Sequence, residues 1–196
     1  MGREELSAHL QKNAPVTPQD MDHFFRLATL KKCKKNEVIL AQNQDISPLI
    51  FIGKGCLMTY HADRKGFKHV IQFGMEGWWT GDIRSMQEKQ VSFYGIKALT
   101  SAEIYCFDAR NFDLLLAQAP VFEQYFRILF QNSLISHQKR IIRNISFSAE
   151  ERYEVFQHTF PKIELVVPQK YIASYLGISP EFLSKMKSRM YGKKLN

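Results

Sequence analysis

Between about Asp20 and Leu30 the apolar positions Met21, Phe24, Phe25, Leu27 and Ala28 recur at helical spacing, and Pro18 stands just ahead as a start signal, which predicts a short leading helix. From Lys35 to Asp108 the period changes. Val38-Ile39-Leu40, Leu49-Ile50-Phe51-Ile52, Val70-Ile71-Gln72-Phe73 and Ile104-Tyr105-Cys106-Phe107 are short β-rich runs. The turn-forming stretches Gly53-Lys54-Gly55, Asp63-Arg64-Lys65-Gly66 and Gly74-Met75-Glu76-Gly77 lie between them. Short strands at this spacing predict a β-barrel or β-roll.

Helical character returns at Asn111, and Pro120 fits the first turn of a long helix, where its missing N–H costs nothing. Within that helix Val121, Tyr125, Ile128, Asn132, Ile135, Lys139 and Ile142 alternate in steps of four and three, which is heptad spacing. Phe122, Phe126, Leu129 and Phe130 form a second stripe beside the first, giving an apolar surface wider than one neighbouring domain would cover. Either one stripe packs on the β-roll while the other pairs with its twin in a homodimer, or the helix is buried on two sides within a monomer. In the dimer, Asn132 would sit at the seam and help to fix register. The pattern breaks around Ile145-Ser146-Phe147-Ser148, and Ser148-Ala149-Glu150-Glu151 is a capping-box signature that starts a fresh helix. A domain boundary is expected between about Asn144 and Ser148.

The 196 residues are 45% apolar, ordinary for a chain with a real core, and there is no internal repeat or low-complexity segment. A formal net charge of +8 points to a polyanionic partner, because clustered Lys and Arg gain free energy by releasing counterions from phosphates. Cys33, Cys56 and Cys106 are too few and too scattered for a disulfide framework, which fits a reducing compartment. The segment Met1-Gly2-Arg3-Glu4-Glu5-Leu6 is no signal peptide, and no stretch approaches the roughly 18 apolar residues that span a bilayer. A cytoplasmic protein without membrane contact is expected.

The segment Pro168 to Arg189 carries the most specific chemistry. A DNA-reading helix-turn-helix needs two short crossed helices, a small residue where they touch, a tight turn and apolar residues that lock both to the body. Ala173 supplies the contact and Gly177 the positive φ, while Ile172, Leu176, Ile178 and Leu183 supply packing. Ser179 is placed to cap the second helix and Pro180 fits its first turn. Glu181, Ser184, Lys185, Ser188 and Arg189 are left on a polar, basic face suited to the major groove. Gln169 and Lys170, and Lys193 and Lys194 in the tail, complete the expected DNA-binding set; the tail lysines suit phosphate contacts. The alternative is a plain αα-hairpin with a solvated face.

The segment from Lys170 to Lys187 resembles, without a gap, the helix-turn-helix of Crp/Fnr regulators. Ile52-Gly53-Lys54-Gly55-Cys56-Leu57 resembles the family's β-roll hairpin, Gly81-Asp82 the Gly-Glu that opens its phosphate-binding cassette, and Ala98-Leu99 the pair that closes it. The resemblance implies an α+β fold with a long dimerisation helix (120–145) between two domains. The first (1–119) is a cyclic nucleotide-binding-like sensor, a jelly-roll-like double-stranded β-helix or β-roll. The second (146–196) is a winged-helix-like helix-turn-helix DNA-binding domain. It further implies a homodimer on a two-half-site operator, and RNA polymerase as a partner. The chain stops soon after the recognition helix, leaving no room for the β-wing that some relatives add, so weaker DNA contact than is typical is expected.

Two departures narrow the reading. Cyclic-nucleotide-binding members end the cassette with an Arg-Ser pair whose guanidinium holds the cyclic phosphate, and here Ser92-Phe93 stand there. Gly81, Asp82, Ile83, Arg84, Ser92 and Phe93 would line the effector pocket; Asp82 is positioned to accept a ribose hydroxyl, with Arg84 or Lys97 in partial compensation. Cyclic AMP is therefore not the expected effector, and no cofactor or metal is assigned. An iron–sulfur cluster needs about four thiolates, and His61 or His69 as a haem ligand is outweighed by a structural role. On the recognition helix, familiar members present Arg, Glu and Arg where this chain has Pro180, Glu181 and Lys185, so a different operator is expected. An enzyme finds no support, since the only nucleophile motif, Ser184-Lys185-Met186-Lys187, falls on the recognition helix. A ligand-binding or scaffold protein of the same fold, with little sequence-specific DNA binding, is the competing class.

Overall fold

The computed structural model describes residues 3–161 and 163–192, with side chains described up to Met190. Two short helices, α1 (Arg3–Leu10) and α2 (Pro18–Leu27), lead into eight strands: β1 (Thr29–Cys33), β2 (Val38–Leu40), β3 (Leu49–Lys54), β4 (Leu57–Ala62), β5 (Lys68–Gly74), β6 (Trp79–Thr80), β7 (Gly95–Ala98) and β8 (Ala102–Phe107). The helix α3 (Ile83–Glu88) interrupts them between β6 and β7. The strands form two antiparallel four-stranded sheets, in the orders β1-β8-β3-β6 and β2-β7-β4-β5. The expected roll is present, as is the leading helix, which opens on a capping box in which Thr17 and Asp20 exchange bonds.

Three apolar clusters explain why the strands read as continuous runs rather than alternating ones. Ile50 and Ile52 of β3 point between the sheets, meeting Leu57, Ile96, Ala98 and Ile104. Their neighbours Leu49 and Phe51 point the other way, into a cluster with Phe24, Trp79, Phe107 and Phe122 from the helices and the outer face of the first sheet. Met58, Tyr60, Val70 and Phe73 cover the outer face of the second sheet and pack on the C-terminal helices. Sheets buried on both faces lose the period-two signature. The expected helix end near Leu30 is corrected: the helix stops at Leu27, and Thr29–Cys33 is an edge strand paired with β8, its outward Leu30, Lys31 and Lys32 carrying no core signal.

After β8 come α4 (Ala109–Gln118), capped by Asp108, and α5 (Val121–Ser146), a helix of 26 residues and roughly 39 Å at 1.5 Å per residue. The remainder is helical among the described residues: α6 (Ala149–Thr159), a 3-10 turn at Ile163–Leu165, α7 (Gln169–Leu176) and α8 (Pro180–Gly192). The capping box at α6 is formed, with Ser148 Oγ accepting from Glu151 N at 3.2 Å and Glu151 accepting from Ser148 N at 2.7 Å. These helices do not stand apart from the roll, because Tyr153, Phe156, Phe160 and Leu176 share one cluster with Phe73.

Candidate nucleic-acid interface

The turn between α7 and α8 is built from backbone rules. Gly177 takes the left-handed conformation (φ 70°, ψ 34°), Ile178 N donates to Ala173 O at 3.0 Å, and Gly177 N donates to Ser174 O at 3.2 Å. This paired closure satisfies two end carbonyls of α7. A Cβ at Gly177 would meet nothing within 4 Å, so the demand for glycine comes from the backbone angle alone. Ser179 Oγ then accepts from Phe182 N at 3.1 Å, and Pro180 opens α8.

Inward, Leu183 and Met186 are fully buried with Ile172, Ala173 and Leu176. Lys187 is turned to the body: its Nζ lies 2.6 Å from Glu164 Oε2, while Glu164 Oε1 accepts from the Tyr153 hydroxyl at 2.6 Å. This half-buried pair ties α8 to the 3-10 turn and, through the Tyr153 hydroxyl, to α6, which fixes its rotation. Outward, Glu181, Ser184, Lys185, Ser188 and Arg189 are all exposed, as are Gln169, Lys170 and Ser179, with Pro180 partly covered. Hydrogen bonds from its own backbone N–H and from Ser179 hold the Glu181 carboxyl below the usual range, so it is an acceptor at neutral pH. Arg189 touches Glu150 at 3.4 Å, but both side chains are exposed and such a contact is readily exchanged. Lys193 and Lys194 lie outside the described residues. Phe182, 42% exposed beside Glu181 and Lys185, is an outer-face residue that its apolar character disguised as core; it could reach a thymine methyl.

In the roll, the expected effector residues form a closed knot. Asp82 is buried, and its carboxylate accepts from Ser85 N at 3.1 Å, Phe93 N at 3.0 Å and Ser92 Oγ at 3.2 Å. Asp82 N in turn donates to Ser47 Oγ at 2.9 Å. Gly81 is held at φ 153°, where a Cβ would fall 2.7 Å from Pro48 O. Ile83 opens α3, and Arg84 is spent on Glu88 and Gln90 at 3.0 and 3.1 Å. Asp82, expected to accept a ribose hydroxyl, is thus already bonded within the chain, and Lys97, expected like Arg84 to compensate in part for the missing Arg, lies on β7 between β2 and β4. Phe93 is exposed and stacks on His61 with centroids 4.6 Å apart, and His69 bonds Asp63 at 3.0 Å. Burial pushes the Cys56 thiol up to about 12 and that of Cys106 to about 11.

Residues 30–119 match the family described as "Cyclic nucleotide-binding domain". The "Anaerobic regulatory protein" of Pasteurella multocida (strain Pm70) is 22% identical over 187 residues, spanning 89% of this chain and 68% of that protein. A regulator assigned to the Crp/Fnr family from Eubacterium rectale superposes with a TM-score of 0.68 at 17% identity, over 91% of this chain and 85% of that one. The c-di-GMP responsive global regulator CLP of Xanthomonas campestris shares this fold, with a TM-score of 0.74 at 12% identity over 90% of this chain and 92% of that one. The proteins it is similar to are regulators.

The long helix divides its surface differently from the heptad reading. Tyr125 is buried in the roll, where its hydroxyl accepts from Trp79 Nε1 at 3.0 Å, and Val121 packs against the same cluster, so neither stands on an outer seam. Beyond Phe130 the helix emerges from the roll. There Leu134, Ile135, Ile141, Ile142 and Ile145 are exposed by 60, 47, 58, 59 and 81%. With partly buried Ile128 they form one continuous stripe, and Asn132 sits at its flank rather than at its centre. Sequence spacing found Ile128, Ile135 and Ile142 but missed Leu134, Ile141 and Ile145.

Proposed function

We propose that this protein is a Crp/Fnr-type transcription regulator, a cytoplasmic homodimer that reads a two-half-site operator through α8, and that its roll does not take cyclic AMP as effector. The observation that carries the reading is the division of α8 into a buried side, Leu183 and Met186 with Lys187 tied to Glu164, and an exposed side carrying Glu181, Ser184, Lys185, Ser188 and Arg189. The exposed side offers a cytosine acceptor in Glu181 and a guanine donor in Lys185. Lys170, at the start of α7, suits a phosphate. Dimerisation is supported by the bare stripe on α5, since five large aliphatic side chains in water are each worth about 1.5–3 kcal/mol when covered. No helix among the described residues is long and apolar enough to cross a membrane. Contact with RNA polymerase belongs to the same proposal.

Fluorescence polarisation against pooled genomic fragments, at two salt concentrations, tests the DNA reading. Lys185→Ala should relax sequence preference by about 1–3 kcal/mol at one base pair, whereas Lys170→Ala should weaken all sequences alike and lower the salt slope by about one. Equal losses on specific and random DNA for both variants would refute this division of roles. Binding to no fragment at either salt would favour a scaffold of the same fold.

The closed knot around Asp82 supports the effector reading. Ser92-Phe93 stand where the resemblance places the phosphate-holding Arg-Ser pair, and Arg84 is exposed and turned to Glu88 and Gln90, so the cassette offers a cyclic phosphate no buried guanidinium. Cyclic AMP at micromolar levels should leave the melting temperature unchanged, and a saturable rise would overturn this reading.

A further inference from the structure

Where α5, α6 and α7 meet, a cavity of about 80 Å³ is lined by Arg140, Arg143, Arg152, Thr159 and Tyr175. No carboxylate lines it, and among the described residues none of the three arginines has an acidic oxygen within 4 Å. Arg140 donates to the carbonyls of Ile71, Val70 and Tyr175 and lies over the Tyr175 ring at 4.0 Å. Arg143 uses Nε on Lys139 O at 3.0 Å, and Arg152 uses Nη1 on Phe147 O at 2.9 Å. Arg152 Nε is buried without a partner.

Each guanidinium brings five N–H donors and no acceptor, so carbonyls satisfy only part of the set and cancel none of the charge. Three partly buried cations that repel one another around a phosphate-sized hollow form an arrangement that a multivalent oxyanion would complete, since planar guanidinium forks match its oxygens in pairs. Burial and the neighbouring Arg143 both press the Arg140 guanidinium toward losing its proton, the direction in which a missing counter-charge acts.

We propose that Arg140, Arg143 and Arg152 form a binding site for a phosphate group. An occupant there bridges α5, which supplies two arginines, to α6, which supplies the third. Through Arg140 it also bears on Tyr175 of α7 and on the edge of β5. It therefore stabilises the arrangement in which the DNA-reading helices are seated on the roll, and anything that unseats α6 expels it. The site does not overlap the Asp82 knot and shares no residue with the outward face of α8.

The phosphate group could belong to a free anion or to the DNA backbone, and two arms separate these sources. In the first, without DNA, inorganic phosphate is exchanged for chloride at constant ionic strength while the melting temperature is followed. A saturable rise is expected, with affinity reduced about tenfold or more in Arg152→Gln and in Arg143→Gln, each first confirmed to be folded by circular dichroism. In the second arm, the salt dependence of DNA affinity is compared between wild type and Arg152→Gln. An unchanged slope together with the phosphate response assigns the site to a free anion, and a slope lower by about one without that response assigns it to the DNA backbone. If phosphate and chloride are equivalent and the slope is unchanged, the proposal is wrong.

Discussion

Leu134→Glu combined with Ile141→Glu should leave the protein monomeric and weaken its binding to a two-half-site duplex about 100-fold or more. Both side chains are more than half exposed on α5, so the roll loses nothing when they change. Each apolar side chain covered in a dimer contributes about 1.5–3 kcal/mol, and the double variant removes four of them while placing carboxylates face to face. Coupling of two half-sites through one dimer multiplies affinity by roughly 10² to 10⁴, and that gain disappears with the second protomer. Sedimentation velocity and polarisation on the full operator report both effects. A dimer that survives the double substitution would place the interface elsewhere. Tyr125→Phe, by contrast, should leave the oligomeric state untouched and destabilise the chain by about 1–3 kcal/mol, since it leaves the buried Trp79 N–H unpaired and removes the contact with Asn13.

Phe24→Ala should destabilise the chain by about 3–5 kcal/mol, a large fraction of the 5–15 kcal/mol typical of a whole domain. Phe24 is fully buried and meets the rings of Phe25, Phe51, Trp79, Tyr105, Phe107 and Phe122 at centroid distances of 5.5, 6.1, 6.2, 5.9, 5.0 and 5.9 Å. It joins α2 to both β3 and α5, so its loss opens a void at the base of the long helix. Urea unfolding followed by far-ultraviolet circular dichroism would show the midpoint falling with little change in slope. Phe182→Ala, on the open face of α8, is the control and should move stability by no more than about 0.5 kcal/mol.

Local rules made the helix-turn-helix segment legible. Gly177, Ser179, Pro180 and the Ser148 box act within a few residues of themselves, so their chemistry is written in consecutive letters. The roll was legible as a class but not strand by strand. β4 and β7 were missed although Met58 and Ile96 are fully buried, because polar Thr59, His61 and Lys97 break up their apolar letters and their strand character comes from pairing with each other and with partners distant in sequence. α1, where only Leu6 and Leu10 are buried, and α3 were hidden for a similar reason. The long helix was misread at Tyr125 because a residue facing the roll and a residue facing a partner obey the same spacing, and only tertiary contact tells them apart. Asp82 showed the reverse problem: its type and position suit a ligand, and the structure spends every bond on the chain itself.

The docking of α7 on the roll has a consequence for how the protein behaves when its C-terminal helices let go. β5 is an edge strand, and Ser174 Oγ accepts from Val70 N at 3.0 Å and donates to Lys68 O at 2.9 Å, while Arg140 takes the carbonyls of Val70 and Ile71. A serine and an arginine thus stand in for a ninth strand. Any rearrangement that lifts α7 uncovers a rim of unpaired amides, which is a template for another chain. Release of the reading head and exposure to sheet-to-sheet association are therefore one event, and conditions that favour the seated form also guard the protein against aggregation.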